Sequence, residues 1–309
     1  MRKKPIVDTQ KNPLVSVGLP VFNGEKYLAV AIESVLTQAF QDFELIISDN
    51  ASTDKTREIC EFFAAYDSRV RYFRQPTNRG AGFNYNFVFY QAGGRYFRWL
   101  AHDDFIAQDC LSACVEALDT DSLRVLAYTH HIDVDEYGIP IRMVSRTKGQ
   151  NEKVSMRFWD LMEGLYTCEE VFGLVRSSIL CKTSLIKNYS DSDRTLLGEL
   201  SLYGKFIEIR EPLFYHRIHP DSSVRRNPMF RERAVWFDPS LKNRLVLSAW
   251  KQFFQMLIGI NRAPIGMLNR IQCHWQAIRW FKWRWRWMFS ELFLEILDFW
   301  RRSFKRMGL

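Results

Sequence analysis

Over the first hundred residues, short runs of β-forming residues alternate with amphipathic helical stretches, and nearly every run stops at a polar cluster. Leu14-Val15-Ser16-Val17-Gly18-Leu19 is closed by Pro20 and followed by the turn-forming pair Asn23-Gly24. Tyr27, Leu28, Ala31, Ile32, Val35 and Leu36 then recur at helical spacing, predicting a helix over about residues 25–38. Phe43-Glu44-Leu45-Ile46-Ile47-Ser48 is a second strand ending at Asp49-Asn50, and an amphipathic segment runs from Asp54 to about residue 66. A third strand over 70–73, a third helix over 81–92 and a fourth strand over 95–100 complete the series. Such alternation predicts an α/β chain whose mostly parallel sheet carries helices on both faces.

The fourth strand ends abruptly, in Trp99-Leu100-Ala101-His102-Asp103-Asp104. In an open α/β sheet, ligands gather at the carboxyl ends of strands. Two adjacent acids there face a crevice, and their mutual repulsion is relieved by a cation or by hydroxyl groups. Three strand ends, at residues 20–23, 49–54 and 103–104, therefore open on one edge. Asp49 suits a hydrogen bond from an imide N–H of a base, Asp103 suits ribose hydroxyls, and Asp104 suits a metal bridging a diphosphate. The competing explanation is local: Asp49 as a turn former or helix cap, and the acid pair as an ordinary strand-to-helix turn.

Taken together, Ser16-Val17-Gly18-Leu19-Pro20-Val21-Phe22-Asn23-Gly24, Ile46-Ile47-Ser48-Asp49-Asn50-Ala51-Ser52-Thr53-Asp54, Asn78-Arg79-Gly80 with Asn86, and Trp99 through Asp104 resemble the family 2 glycosyltransferases. The resemblance covers about residues 14–220. It implies a GT-A type nucleotide-diphospho-sugar fold, with a Rossmann-like, mostly parallel sheet flanked by helices. It also implies a metal-dependent, inverting transfer of a sugar from a nucleotide-sugar donor, with Mg²⁺ or Mn²⁺ as cofactor. Pro20, Asn23, Glu25, Asp49, Asn78, Asp103 and Arg217 are the donor-binding candidates, and Asp104 with His219 the metal ligands. The chain departs from the family's usual Asp-Asp-Gly-Ser-Thr-Asp at Asn50 and Ala51, and Ala101 stands where many members carry another Asp.

Past the acid pair, residues 109–118 read as helix, with Cys110 and Cys114 one turn apart as small apolar residues, and 125–129 as strand. His130-His131 with Asp133 and Asp135 invites a metal, but Asp135-Glu136-Tyr137-Gly138 followed by 139–143 reads better as a hairpin. Residues 147–153 read as a loop near the acceptor side. Ser190-Asp191-Ser192-Asp193-Arg194-Thr195-Leu196-Leu197 opens another helix. Family members carry an acidic general base directly before such a helix, and the match places it at Asp193, with Asp191 the alternative and helix capping the plain explanation. Tyr215-His216-Arg217-Ile218-His219 resembles the family's Tyr-Arg-x-His segment, which implies Arg217 beside the leaving diphosphate and His219 at the metal.

The chain has 309 residues and a net charge of +8, and that charge is uneven. From Leu241 onward 13 Lys and Arg face 3 Asp and Glu, leaving the first 240 residues at about −2. In the same stretch Trp275, Trp280, Trp283, Trp285, Trp287, Phe289, Phe293 and Trp300 interleave with the cations, after a break over 261–266. A basic, Trp-rich amphipathic segment suits an anionic membrane surface; packing on the catalytic domain and nucleic-acid binding are the other readings, the last the weakest. The expected organisation is a tail over 1–13, a catalytic domain over 14–240 with its donor half at about 14–120 and acceptor half at about 121–240, and a helical extension over 241–309.

Residues 1–13 contain no apolar run of signal-peptide type, and no uninterrupted apolar stretch reaches membrane-spanning length. Six cysteines without CxxC spacing point to reduced thiols. The expectation is a cytoplasmic enzyme held peripherally on the inner membrane face, acting on a glycan or lipid-linked acceptor in cell-surface polysaccharide synthesis. A non-catalytic, membrane-docked binder of nucleotide sugars competes with it. So does a nucleotidyltransferase, although residues 20–26 lack the glycine-rich basic loop that a triphosphate needs.

Overall fold

The computed structural model describes residues 12–164, 167–227 and 229–306. The N-terminal tail expected over 1–13 lies almost wholly outside them. The chain runs β1 (Val15–Val21), α1 (Leu28–Leu36), β2 (Phe43–Asp49), α2 (Thr56–Tyr66), β3 (Val70–Arg74), α3 (Ala81–Tyr90), β4 (Tyr96–Trp99), β5 (Phe105–Ile106) and α4 (Cys110–Asp119). It continues through β6 (Arg124–Val134), β7 (Pro140–Val144), α5 (Val154–Met162), β8 (Leu174–Arg176), α6 (Ser177–Leu180), α7 (Ser192–Ser201), β9 (Lys205–Arg217), α8 (Ser223–Arg226), α9 (Phe230–Phe237), α10 (Ser248–Arg262) and α11 (Met267–Arg306).

One sheet orders these strands β3-β2-β1-β4-β8-β6-β9-β5, with β7 added against β6. The parallel arrangement expected from the alternation holds for β1 to β4. Beyond them the sheet is mixed. Strand β8 is antiparallel to both β4 and β6, while β6 and β9 are parallel to each other. Two reversals cancel, so β6 and β9 point the same way as β1 to β4. The carboxyl ends of β1, β2, β4, β6 and β9 thus share one edge, and two strand ends are added to the three expected.

Both faces of the sheet are covered, and the period-two alternation along each strand divides its side chains between two cores. Leu19, Leu45, Ile47 and Tyr96 pack with Leu28, Ile32 and Val35 of α1, Cys60 of α2 and Cys114 of α4. Ile46, Phe97 and Trp99 pack on the other side with Val88 and Phe89 of α3 and Leu196 and Leu200 of α7. Gly18 has a reason to be glycine: a Cβ there would sit 2.6 Å from Val88 Cγ2 and 2.7 Å from Phe97, holding α3 off the sheet.

The hairpin read at 135–138 is present, with Asp135 N–H donating to Ile139 O at 2.9 Å and β7 returning along β6. Strand β6 is longer than the 125–129 run predicts, because β9 pairs with it as far as Val134. The polar 147–153 run has no helix or strand and is tied to α5, Gly149 N–H donating to Asp160 Oδ2 at 2.7 Å.

The C-terminal helices form a third core. Cys273, Ala277, Trp280 and Met288 of α11 pack with Ala249, Met256 and Ile260 of α10 and with Phe158, Trp159 and Met162 of α5. Packing continues across residue 240, where Leu241 meets Ala234 and Val246. Helix α11 extends about 60 Å at 1.5 Å per residue. Two of its acids turn inward: Glu291 accepts from Ser248 N–H at 2.8 Å and from Ala249 N–H at 3.1 Å, capping α10, and Glu295 accepts from Val246 N–H at 3.0 Å. Burial raises the Glu291 carboxyl to about 7. The opposite stripe of Ile271, Trp275, Ile278, Trp285, Phe289, Phe293 and Ile296 is exposed. Of the sequence's alternatives for this segment, packing accounts for one face only. Among the described residues no helix is long and apolar enough to cross a membrane.

Candidate functional site

The loops after β1 and β2 are laced together. Asn23, held at φ 53°, accepts from Thr53 N–H at 2.9 Å and donates its own N–H to Ser52 Oγ at 2.9 Å. Glu25 accepts from Lys55 N–H at 2.9 Å, and its N–H donates to Asp54 Oδ2 at 3.0 Å. Pro20 lies within β1 opposite Ser48. Asp49 is fully buried; its Oδ1 accepts from Ser52 N–H at 2.8 Å and its Oδ2 from the Tyr72 hydroxyl at 3.0 Å. The local turn expected at Asp49 is thus present, and each of its oxygens keeps a second lone pair.

A side-chain clasp joins the second loop to the third. Asn50 Nδ2 donates to Asn78 Oδ1 at 2.9 Å and to Gly80 O at 3.1 Å, while its Oδ1 accepts from Arg79 N–H at 3.0 Å. Only an amide both donates and accepts in this way. The departure from the family's acid at this position thus has a structural use. Gly80 is at φ 86°, and a Cβ would meet Phe237 O at 2.4 Å, so the loop closes against α9 only with glycine.

At the end of β4, Asp103 Oδ2 lies 2.9 Å from His219 Nε2, and Asp104 Oδ1 accepts from Arg217 N–H at 2.8 Å. The residues come from chain positions more than a hundred apart, brought together by β9. Asp104 is 3% exposed; burial and then the Asp103 charge push its carboxyl well above the usual range. Asp103 is held low in spite of its burial by the His102 and His219 imidazoles. His219 Nδ1 is buried and has no hydrogen-bond partner among the described residues. A buried carboxyl next to a second carboxylate, with an unpartnered imidazole nitrogen on the residue that contacts that carboxylate, is chemistry that a divalent cation of the Mg²⁺ or Mn²⁺ kind would relieve.

Arg217, expected beside a departing diphosphate, is 5% exposed, and its guanidinium lies on backbone carbonyls. Its Nε donates to Asp103 O at 2.9 Å and its Nη1 to Glu136 O at 3.0 Å, with the guanidinium 4.5 Å from the Tyr27 ring centre. The physical reason is its place at the last residue of β9, where the loops after β4 and β6 present carbonyls that accept from it. Tyr27, read as one more apolar residue of α1, also packs edge-on against His219 at 4.9 Å. No local sequence signal distinguishes it from its helical neighbours.

Asp193 is in the first turn of α7, whose N-cap is Asp191 in the left-handed region at φ 64°. Neither acid makes a side-chain cap bond to the helix start beyond Asp193 Oδ1 accepting from Arg194 N–H at 2.8 Å. Capping therefore does not account for the pair. Burial, with the Asp191 charge behind it, pushes the Asp193 carboxyl up to about 6. Tyr85 is half-buried, and desolvation with the charges of Asp103, Asp104 and Asp193 raises its hydroxyl. The acid pair and the α7 acid thus all act on one tyrosine.

A family model described as glycosyl transferase family 2 matches residues 16–186. A Haemophilus influenzae protein described as an uncharacterized glycosyltransferase is 38% identical over 136 residues, covering 44% of this chain. The match spans 54% of that relative, about half its length. Among solved structures, S. aureus TarS 1-349 in complex with UDP superimposes with a TM-score of 0.60 at 17% identity, covering 87% of this chain and 72% of that one. The Pyrobaculum calidifontis mannosyltransferase PcManGT, in complex with GDP-Man and Mn²⁺, gives a TM-score of 0.53 at 13% identity, covering 94% and 87%. At these identities the structural likeness speaks for the fold alone.

Proposed function

The chain belongs to glycosyl transferase family 2 and has a GT-A fold, and on that premise we propose that it transfers a sugar, with inversion, from a nucleoside-diphosphate donor to a hydroxyl of a glycan or lipid-linked acceptor. The observation that carries this reading is Asp193 in the first turn of α7, making no cap bond to the helix start beyond Arg194 N–H, its carboxyl pushed by burial to about 6. At neutral pH it is ionised yet still basic enough to take a proton.

In this mechanism the acceptor hydroxyl approaches Asp193, which removes its proton as the oxygen forms a bond to the anomeric carbon. The bond from that carbon to the diphosphate oxygen breaks on the opposite face, and the electron pair leaves with the diphosphate. No covalent sugar intermediate is needed. Asp49, Asn78 and the laced loop of Pro20, Asn23 and Glu25 hold the nucleoside end, and Asp103 orients the ribose. A divalent cation held by Asp104 and His219 would supply positive charge where the leaving group becomes negative. Arg217 is assigned to positioning: its bonds to carbonyls fix the loops that carry Asp103, Asp104 and His219.

A uracil or thymine base is favoured by the buried Asp49 acceptor and is consistent with the UDP complex of TarS. Synthesis of a cell-surface polysaccharide is the proposed setting. The outer stripe of α11 is proposed to lie on an anionic membrane surface from the cytoplasmic side. Its exposed Trp, Phe and Ile residues supply the apolar contact, and the exposed Arg279, Lys282 and Arg286 supply positive charge.

The test is release of nucleoside diphosphate from a panel of nucleotide sugars with Mn²⁺ present. Release by the wild type and its loss in Asp193→Asn support the transferase reading. Nucleotide binding without release by the wild type would replace it with the non-catalytic one.

A further inference from the structure

The hairpin strand β6 and the long strand β9 bring together three side chains that the transfer reading does not use. His131 and Asp133 are two apart on β6 and so share a face, and β9 lays His216 directly beside Asp133. We propose that His131, Asp133 and His216 form a second cation site, distinct from the one at Asp104 and His219, that takes a borderline divalent ion of the Zn²⁺ type and staples β6 to β9. The inference does not depend on the transferase reading.

The geometry is specific. Asp133 Oδ1 lies 3.0 Å from His216 Nδ1 and 3.6 Å from His131 Nε2, and all three donor atoms lie within 4.8 Å of one another. Ligands at about 2.0–2.1 Å in a tetrahedral zinc site are about 3.3 Å apart, which the first two separations bracket. Small side-chain rotations close the third. Two imidazoles converging on one carboxylate oxygen make one good hydrogen bond and one poor one, whereas a cation at their centre engages all three donors.

The surroundings also suit a metal. Asp133 is 2% and His131 7% exposed, and His216 opens toward solvent at 30% of its side chain, which supplies an entry path. Arg142 Nε donates to Asp133 Oδ2 at 2.6 Å, fixing the carboxylate from behind as outer-shell partners do. The charges of Asp104 and Glu169 act on the His216 imidazole and that of Glu169 also on His131, and water would complete the coordination. Two imidazole nitrogens and one carboxylate favour Zn²⁺ over Mg²⁺. The neighbouring His130 is excluded, because the strand turns it to the other face, 2.8 Å from Glu208.

A local reading missed the site because its third ligand is 83 residues away in sequence, on a strand whose pairing with β6 is not encoded near either. Its consequence would be mechanical: three residues beyond His216, β9 delivers His219 to the acid pair, so an ion at His216 stiffens the floor of the donor crevice.

The experiment uses the full chain, stripped with a chelator and titrated with Zn²⁺ alone by calorimetry. The expected result is one tight site per chain, weakened at least about tenfold by His131→Gln and by His216→Gln, and unchanged in His130→Gln and Asp104→Asn. Co²⁺ loaded into the wild type should give the intense visible absorption of tetrahedral coordination, a readout that holds even where a variant folds poorly. A wild type that retains no Zn²⁺, a pale octahedral Co²⁺ spectrum, or full Zn²⁺ affinity in both His131 and His216 variants overturns the proposal. Loss of affinity in Asp104→Asn alone would assign the ion to the donor crevice instead.

Discussion

Replacing Asp193 by Asn should make the protein inactive and more stable at once. The carboxyl titrates at about 6 in the folded protein against an ordinary value of 3.8, chiefly because burial disfavours its charge. Between these two values the folded state holds a proton that the unfolded chain has already lost. Stability contributed by the protonated group is thus complete below about pH 3.8 and is lost as pH rises to about 6. A gap of about two pH units at 1.36 kcal/mol each sets a cost of at most about 3 kcal/mol above pH 7, less whatever solvent at the crevice screens. An amide has the same shape, carries no charge, and keeps the oxygen that accepts from Arg194 N–H. Asp193→Asn should therefore melt several degrees above the wild type at pH 7.5 and match it near pH 4, while donor turnover falls by about 10²–10⁴-fold. Thermal melts at the two pH values and nucleoside diphosphate release measure both effects. A variant no more stable at pH 7.5 than at pH 4, relative to wild type, refutes the buried-carboxylate argument; one that turns over normally refutes the base assignment. In the wild type, kcat/KM should drop tenfold per pH unit below about 6, and Asp191→Asn should shift that limb to lower pH by removing a like charge.

Asn50→Asp removes both donations to Asn78 and Gly80 and buries a charge beside their oxygens, so a loss of about 2–4 kcal/mol and weaker nucleotide binding are expected; an unchanged melting temperature would sink the clasp. Asp104→Ala should abolish the Mn²⁺ dependence of nucleoside diphosphate binding measured by calorimetry, and a metal-dependent signal of wild-type size would remove Asp104 from the metal site. Replacing Trp275, Phe293 and Ile296 by Ser on the full chain should release it from anionic vesicles without changing its melting temperature, since these side chains are exposed and lie outside the third core. Vesicle binding that persists would leave the outer stripe without its proposed surface. Substitution is preferable to truncation here, because removing α10 and α11 would strip Phe158 and Trp159 of their cover.

Much of the molecule is legible residue by residue because its signals are local. Period-two runs bounded by Pro20, Asp49 and Asp103 mark strands and the edge they open on, and 3.6-residue spacing marks α1, α2 and the helices of the basic tail. Asp193 stands out as an acid at a helix start, and its burial and its missing cap bond then set it apart from an ordinary cap. What the tertiary structure alone decides is which distant groups meet. The antiparallel insertion of β8 is what turns β6 and β9 back into the common direction, delivering His219 to Asp103 and His216 to Asp133. The same pairing sets Arg217 on three carbonyls of two loops, those of Asp103, Asp135 and Glu136. Helix periodicity likewise marks α11 as amphipathic, but only packing selects the Trp280 stripe for the core and leaves the Trp285 stripe outside. Local periodicity follows from the geometry of each residue and its near neighbours; strand order and the buried face depend on contacts between segments a hundred residues apart, whose free energy no short window of sequence contains.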